Sequence, residues 1–347
     1  SSGDEIFFGG MGDHWNVPVY HYDPAGNYDK KIPYIEDPFY SNTVKFRECD
    51  HIEAGKHSTD LFTDTAIRFL EKQKSKKPFF MYVAMMAPHD PRTMPERFRR
   101  MYEPQTIKLP PNFMKKHRID TGALRIRDEL LAAFPRKPAE IKRHIAEYYA
   151  MISHLDDAFG RLRKTLERKG IWENTIIVIA GDNGLAVGQH GLMGKQNLYE
   201  HSVRVPLLFV GPGIPKGKKC NRLVYLLDIF PTLCELAKLS IPTSIEGKSL
   251  LNCLKNDRGG RKYLYLAYAN SIRGVTDGSY KLIEYACGKT QLFDLRNDPA
   301  EINNLISDRK YRGYIREMRA RLCMLAKEWD DKKHPCGREF WQRRGDI

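Results

Sequence analysis

Apolar residues recur along this chain in two distinct rhythms. Between residues 138 and 168, Ile141, Ile145, Tyr148, Ile152, Leu155, Phe159, Leu162 and Leu166 fall three or four apart, predicting one long helix with a single buried face. Gly170 closes it. Three other runs, at 79–86, 175–180 and 205–210, are unbroken rather than periodic, which predicts parallel strands covered on both faces. Ser58 or Thr59 is placed to cap a helix whose stripe is Leu61, Ile67, Phe69 and Leu70. A shorter helix follows at 228–238. Strands alternating with helices define an α/β fold with a mostly parallel sheet. After residue 255 the rhythm changes. Segments 263–269, 271–276, 280–285 and 291–295 are short strands parted by Gly and Asp turns, a small antiparallel sheet followed by a terminal helix at about 309–329. Two domains are therefore expected, an α/β core over 1–255 and a small α+β subdomain over 256–347. Residues 5–55, rich in Gly, Pro, Tyr, His and Asp without a period, read as loop.

Composition narrows the class. Of 347 residues, 41% are hydrophobic and 29% charged, which suits a chain that buries a core and excludes a disordered polymer. No stretch approaches the ~18 apolar residues a membrane span requires. The net charge of +14 favours anionic partners without choosing among nucleic acid, a sulfated or phosphorylated sugar, or an acidic surface. Only that charge speaks for nucleic acid, since zinc-finger spacing, an RNP-like motif and a basic helix are all missing. Seven cysteines with no Cys-x-x-Cys pair argue against a structural zinc. The basic loop 92–118, with Arg125 and Arg127 beyond it, suggests a polyanionic substrate, against the alternative of a solvated face. In the first loop, His14 and Trp15 are candidates to contact a sugar ring.

Ligands of open α/β sheets gather where loops leave the carboxyl ends of strands. Two polar clusters sit at such ends here: Ala87-Pro88-His89-Asp90-Pro91 after 79–86, and Gly181-Asp182-Asn183-Gly184 after 175–180. Lys195 follows 13 residues beyond Asp182. Taken singly, Asp-Asn-Gly makes a tight turn because Asn and Gly tolerate positive φ, and His89 and Lys195 are ordinary loop residues. Taken together they describe a clamp for a tetrahedral anion. Asp182 and Asn183 offer hard oxygens suited to Ca²⁺ or Mg²⁺, and His89 and Lys195 offer donors to an anionic oxygen.

These residues resemble the type I sulfatases, a family with the alkaline phosphatase-like fold. Ala87-Pro88-His89-Asp90-Pro91 is similar to their Ala-Pro-His-x-Pro element, and Gly181-Asp182-Asn183-Gly184 to their second metal motif. Gly188-Gln189-His190-Gly191-Leu192, then Lys195, Tyr199-Glu200 and Arg204-Val205-Pro206, resembles the segment that follows it. Asp228-Ile229-Phe230-Pro231-Thr232, Glu246-Gly247-Lys248-Ser249-Leu250 and Leu292-Phe293-Asp294-Leu295 continue the series in family order. The likeness runs from about residue 57 to 325. It implies that Asp182 and Asn183 bind Ca²⁺, that His89 and Lys195 hold the sulfate group, and that His190 lies near the site. Arg127 and His14 complete the candidate substrate contacts. An extracytoplasmic location follows from family habit.

Three elements of the pattern are missing. The family's nucleophile is a formylglycine made from Cys or Ser in Cys/Ser-x-Pro/Ala-x-Arg, and none of the cysteines or serines here has that context. The N-terminal Asp pair and the Lys-x-His pair are missing as well. The expectation is the C-terminal portion of a sulfate-ester hydrolase acting on a sulfated small molecule or glycan, with its activity in a longer chain or an associated N-terminal piece. The alternatives are a phosphoesterase or phosphonate ester hydrolase of the same superfamily, or a non-catalytic binder of sulfated glycans.

Overall fold

The structure, a computed structural model, describes residues 6–8, 13–21, 30–35, 44–49, 51–74 and 77–345. They fall into two compact units, one built from 1–109 and 137–174, the other from 110–136 and 175–347. A cut at 255 lies within the second of these.

The first unit contains β1 (Ile6–Phe8), β2 (Asn16–His21), β3 (Lys30–Ile35), β4 (Val44–Cys49), β5 (His51–Ala54), α1 (Ser58–Lys72), α2 (Glu96–Arg99) and α3 (Pro138–Arg168). β2 lies between β1 and β5 in an antiparallel sheet, and β3 pairs antiparallel with β4. Five short strands thus occupy the stretch read as loop. They are three to six residues long, and Pro18 and Pro33 sit inside two of them, so composition hid what pairing supplies. The cap of α1 is His57 rather than Ser58 or Thr59: its Nδ1 accepts the Thr59 N–H at 3.2 Å.

Helix α3 spans the predicted residues, and Gly170, at φ +67°, turns the chain away from its end. Its inward face is rotated from the predicted stripe. Ile141, Ile145, Leu155 and Leu166 are buried as expected, but His144, Ala150, Met151 and His154 join them while Ile152 is 42% exposed. Two buried histidines, invisible to a hydrophobicity count, moved the face. Arg161 of α3 pairs with Asp60 and Asp64 of α1, tying the two helices together. Residues 79–86 carry no strand ladder among the described residues. Val83 and Met85 pack inward, whereas Phe80 and Tyr82 are 80% and 83% exposed. This has the alternation of a strand with one covered face, not the two expected.

The second unit contains β6 (Ile177–Ala180), α4 (Glu200–Val203), β7 (Leu207–Val210), α5 (Ile229–Leu236), α6 (Leu251–Asn256), β8 (Leu264–Tyr268), β9 (Ile272–Thr276), β10 (Tyr280–Tyr285), β11 (Thr290–Asp294), α7 (Arg312–Glu328) and α8 (Pro335–Arg344). The α/β class, the small C-terminal antiparallel sheet and its terminal helix stand as read from the sequence. The parallel pairing does not: β6 runs antiparallel to β7, and every ladder among the described residues is antiparallel. A parallel pair needs a crossover of a dozen or more residues, usually helical. Between β6 and β7 the only α-helix is the four-residue α4, and the chain instead lays residues 186–199 on the C-terminal sheet.

That sheet, in the order β11-β10-β9-β8, is covered on both faces. Leu282 and Leu292 point to Met318 and Leu322 of α7 and to Phe340 and Trp341 of α8. Their neighbours Ile283 and Phe293 point the other way, onto Ala186, Leu192, Leu198 and Tyr199. The period-2 alternation of strands therefore fixes the loop that bears Lys195. Helix α8 has no counterpart in the predicted elements, because charges and Gly337 dilute its sequence down to two core residues.

Candidate functional site

The predicted site residues are divided between the units, and each half is built separately. In the first unit, His89 follows the apolar segment 79–86. Its side chain is 19% exposed, and its Nδ1–H donates to the Asp90 carbonyl at 2.8 Å, which sets the ring's tautomer and orientation. Behind it lies His14, fully buried. Nδ1 of His14 meets Ser58 Oγ at 2.7 Å and Nε2 meets the His89 carbonyl at 3.0 Å. With both nitrogens engaged and no exposed surface, His14 does not present itself to a sugar as the sequence suggested. It braces the backbone of His89 instead. Trp15 packs edge-on to His57, with centroids 5.2 Å apart.

In the second unit, Asp182 and Asn183 leave the end of β6 with exposed side chains, and Asp182 Oδ1 accepts the Asn183 N–H at 2.8 Å. Neither Asn183 nor Gly184 takes a positive φ, so this is not the tight turn that Asn-Gly alone would suggest. Gly184 is needed for closeness: a Cβ there would lie 2.1 Å from the His201 carbonyl oxygen. The Gly184 N–H donates to the Ser202 carbonyl at 2.9 Å, which pins the oxygen pair against the start of α4.

Lys195 sits on a loop held from beneath. The Glu129 carboxylate accepts the N–H groups of Met193 and Gly194, both at 3.0 Å, and pairs with Arg136. Arg136 also donates to the carbonyls of Gly191 and Glu129. Gln196 accepts the Lys195 N–H at 2.9 Å and donates to Asp128 at 2.7 Å. Glu129, Arg136 and Gln196 were not singled out from the sequence. The available signal was Asp128-Glu129 standing as two adjacent acids inside a basic stretch.

His190 is buried rather than open to a substrate. Its ring stacks on Tyr199 at 3.9 Å, and its Nε2 accepts from Asn112 Nδ2 at 3.1 Å. Burial, aided by nearby His117, pushes its pKa down to about 4, so it is neutral at physiological pH. Arg127 donates to Asp128 at 3.1 Å. In the basic loop, Arg97 pairs with Asp157, and Arg99 and Arg100 both pair with Glu96. A groove of about 400 Å³ there is lined by Arg99, Arg100 and Arg143 but equally by Glu96, Glu103 and Glu147. Much of that charge is already answered by carboxylates.

Asp182 and Asn183 fit Ca²⁺ by chemistry, as hard oxygens on an exposed loop, but Ca²⁺ takes six to eight oxygens. Among the described residues no group of three or more His, Cys, Asp or Glu side chains could hold a metal. The pair fits as part of a calcium site and does not complete one.

The α/β architecture with its small C-terminal antiparallel sheet has counterparts among solved structures. A solved structure described as a complex with its substrate D-glucosamine-2-N,6-O-disulfate is similar with a TM-score of 0.70 at 21% identity, covering 92% of this chain and 74% of that one. The chain belongs to the sulfatase family, whose model matches residues 8–239. A second model, N-sulphoglucosamine sulphohydrolase, C-terminal, matches residues 188–328. Two proteins of Formosa agariphila, described as a sulfatase and as an ulvan-active sulfatase, are each 30% identical to it. Those matches cover 74% and 86% of this chain but 51% and 57% of the relatives. The chain thus spans about half the length of the curated relatives it matches.

Proposed function

We propose that this chain is the C-terminal portion of the catalytic body of a sulfatase, which cleaves sulfate esters of a sugar or glycan. The observation that carries this reading is the mounting of Lys195: a cation on a loop whose backbone is gripped by a buried, ion-paired Glu129, in the same unit as the exposed Asp182–Asn183 pair. Lys195 and His89 would bind the sulfate oxygens and stabilise the charge that grows on the leaving oxygen. Preorganised donors are effective there because no side chain has to reorient as the bond breaks. Asp182 and Asn183 would supply part of a calcium site, the ion contributing neutralisation of sulfate charge when bound. The nucleophile would come from a longer polypeptide or an associated N-terminal piece, since the sequence carries no formylglycine motif. The exposed faces at Phe80 and Tyr82 and at Leu208 and Val210 support a body that is covered further in its working form. An extracytoplasmic location goes with this reading. Among the described residues no helix is long and apolar enough to cross a membrane.

The test compares the 40.2 kDa chain with the species its source makes, by intact mass and by sulfate release from a sulfated disaccharide. A heavier native species that releases sulfate, beside an inert 40.2 kDa chain, supports the proposal. A native species of this mass that is retained on heparin without releasing sulfate favours a glycan-binding protein, the reading motivated by the missing motif. Faster cleavage of a phosphonate monoester than of the sulfate ester overturns sulfatase specificity.

A further inference from the structure

We propose that His14 and His57 form a two-point clamp that positions His89. The two imidazoles are stacked in parallel, 4.9 Å apart with an interplanar angle of 5°, and each donates its Nε2–H to a carbonyl at one end of residues 89–93. The inference rests on the reading of His89 as a sulfate-holding residue.

The hydrogen bonds fix both tautomers without ambiguity. A carbonyl only accepts, so the proton of His14 is on Nε2, 3.0 Å from the His89 oxygen, and that of His57 is on Nε2, 3.0 Å from the Thr93 oxygen. Each Nδ1 must then accept, and each faces a donor: the Ser58 hydroxyl at 2.7 Å for His14 and the Thr59 N–H at 3.2 Å for His57. All four ring nitrogens are satisfied although the residues are 0% and 1% exposed. Such burial is costly unless every polar atom is paired, and apolar residues would fill the space more cheaply. What the imidazoles add is a pair of directed donors aimed at one five-residue loop.

The clamp stands on a rigid base. Ser58 N–H donates to the His14 carbonyl at 2.7 Å, joining it to the first turn of α1. His154 of α3 lies 4.8 Å behind His57, with its Nε2 on Asp60 at 3.0 Å. The middle of the loop is tied to the same helix, where Arg92 Nη1 reaches His144 Nδ1 at 2.7 Å. His89 therefore hangs from a backbone held at both ends and in between, and small misplacements of such groups cost large factors in rate. His14 and His57 touch no substrate in this arrangement and are positioning residues.

Three roles of these histidines can be separated. His14→Phe keeps the stacked ring and removes the donor. His57→Asn keeps a good helix cap but falls short of the Thr93 carbonyl. His14→Gln and His57→Gln bring an amide N–H back to the position of Nε2. Amide hydrogen exchange of residues 87–94, measured against α1 and α3 in the whole chain, reads the clamp directly. We expect exchange there to quicken at least tenfold in His14→Phe and His57→Asn, with α1 and α3 unchanged, and to return near the wild-type rate in the Gln variants. In the longer polypeptide the same variants should lower kcat about tenfold with KM within twofold. Unchanged exchange at 87–94, or equal loosening of α1 and α3, overturns the clamp. Should His14→Phe not fold, Ser58→Ala, which frees the tautomer of His14, carries the same test. Absence of sulfate-ester turnover in the wild-type longer polypeptide would defeat the functional reading, while the exchange data still judge the clamp.

Discussion

Glu129 and Arg136 pair inside the second unit with side chains 3% and 0% exposed, and the same carboxylate holds the two amides that precede Lys195. The pair is thus both a buried charge and the foundation of a candidate catalytic loop. A buried ion pair is costly to break from one side, because the remaining charge is left unpaired. Arg136→Met should lower stability by about 3–5 kcal/mol in denaturant unfolding. Adding Glu129→Gln should recover part of that loss, since Gln is neutral. A double variant no more stable than Arg136→Met would mean that the stranded charge is not the source of the cost.

At Gly184 the argument is steric. An added Cβ would meet the His201 carbonyl at 2.1 Å, and neither backbone can move without shifting the Asp182–Asn183 loop or α4. Gly184→Ala should cost on the order of 1–3 kcal/mol, as overpacking does. Gly160, inside α3, has open space within 4 Å of the point where a methyl group would sit, and its backbone is helical, so Gly160→Ala should stabilise by roughly 0.5–1 kcal/mol. Thermal unfolding of the two variants side by side checks both signs. Equal effects would show that local crowding at Gly184 is relieved by relaxation.

The two glycines also mark what the sequence could reveal. The helix around Gly160 was legible, because Ile141, Ile145 and Leu155 repeat at helical spacing. The C-terminal strands were legible through their turns, with β10 at its predicted residues. The strand end where Asp182 sits was legible too, because the apolar run 175–180 stops abruptly there; the similar run 79–86 before His89 forms no strand ladder among the described residues. What stayed hidden depends on partners distant in sequence. Glu129 meets Met193 across 64 residues and His14 meets His89 across 75, and no local pattern records either. Pairing direction was hidden for the same reason, since an apolar run such as 175–180 reads alike in a parallel or an antiparallel ladder.

Phe80 and Tyr82 lead to a prediction about the isolated chain. Alternate, largely exposed aromatics on an apolar segment make a surface prone to self-association. At tens of micromolar the chain alone should sediment partly as dimers or larger species. The double variant Phe80→Ser and Tyr82→Ser should shift it toward monomer, with little loss of stability because neither side chain is buried. Sedimentation velocity that shows the same distribution for both proteins would acquit this face.

Acid stability follows from the buried imidazoles. Burial, with His14 and His154 close by, pushes the pKa of His57 down to about 4, against 6.5 when unfolded. Between those values the unfolded chain binds a proton that the folded chain refuses. Stability from this group is therefore complete above pH 6.5, falls as the pH drops toward 4, and levels off below. The full span is worth roughly 3.5 kcal/mol at about 1.4 kcal/mol per pH unit. His190, also pushed to about 4, acts in the same direction within the second unit. Glu129 and Glu301, raised by burial, act in the opposite one, so a wild-type profile alone mixes the two signs. The difference between wild type and His57→Gln isolates the imidazole: it should shrink by roughly 2 kcal/mol in urea unfolding between about pH 7.5 and about pH 5. A constant difference across that interval would mean that His57 takes up its proton in the folded state, and that the Thr59 N–H no longer faces a bare nitrogen.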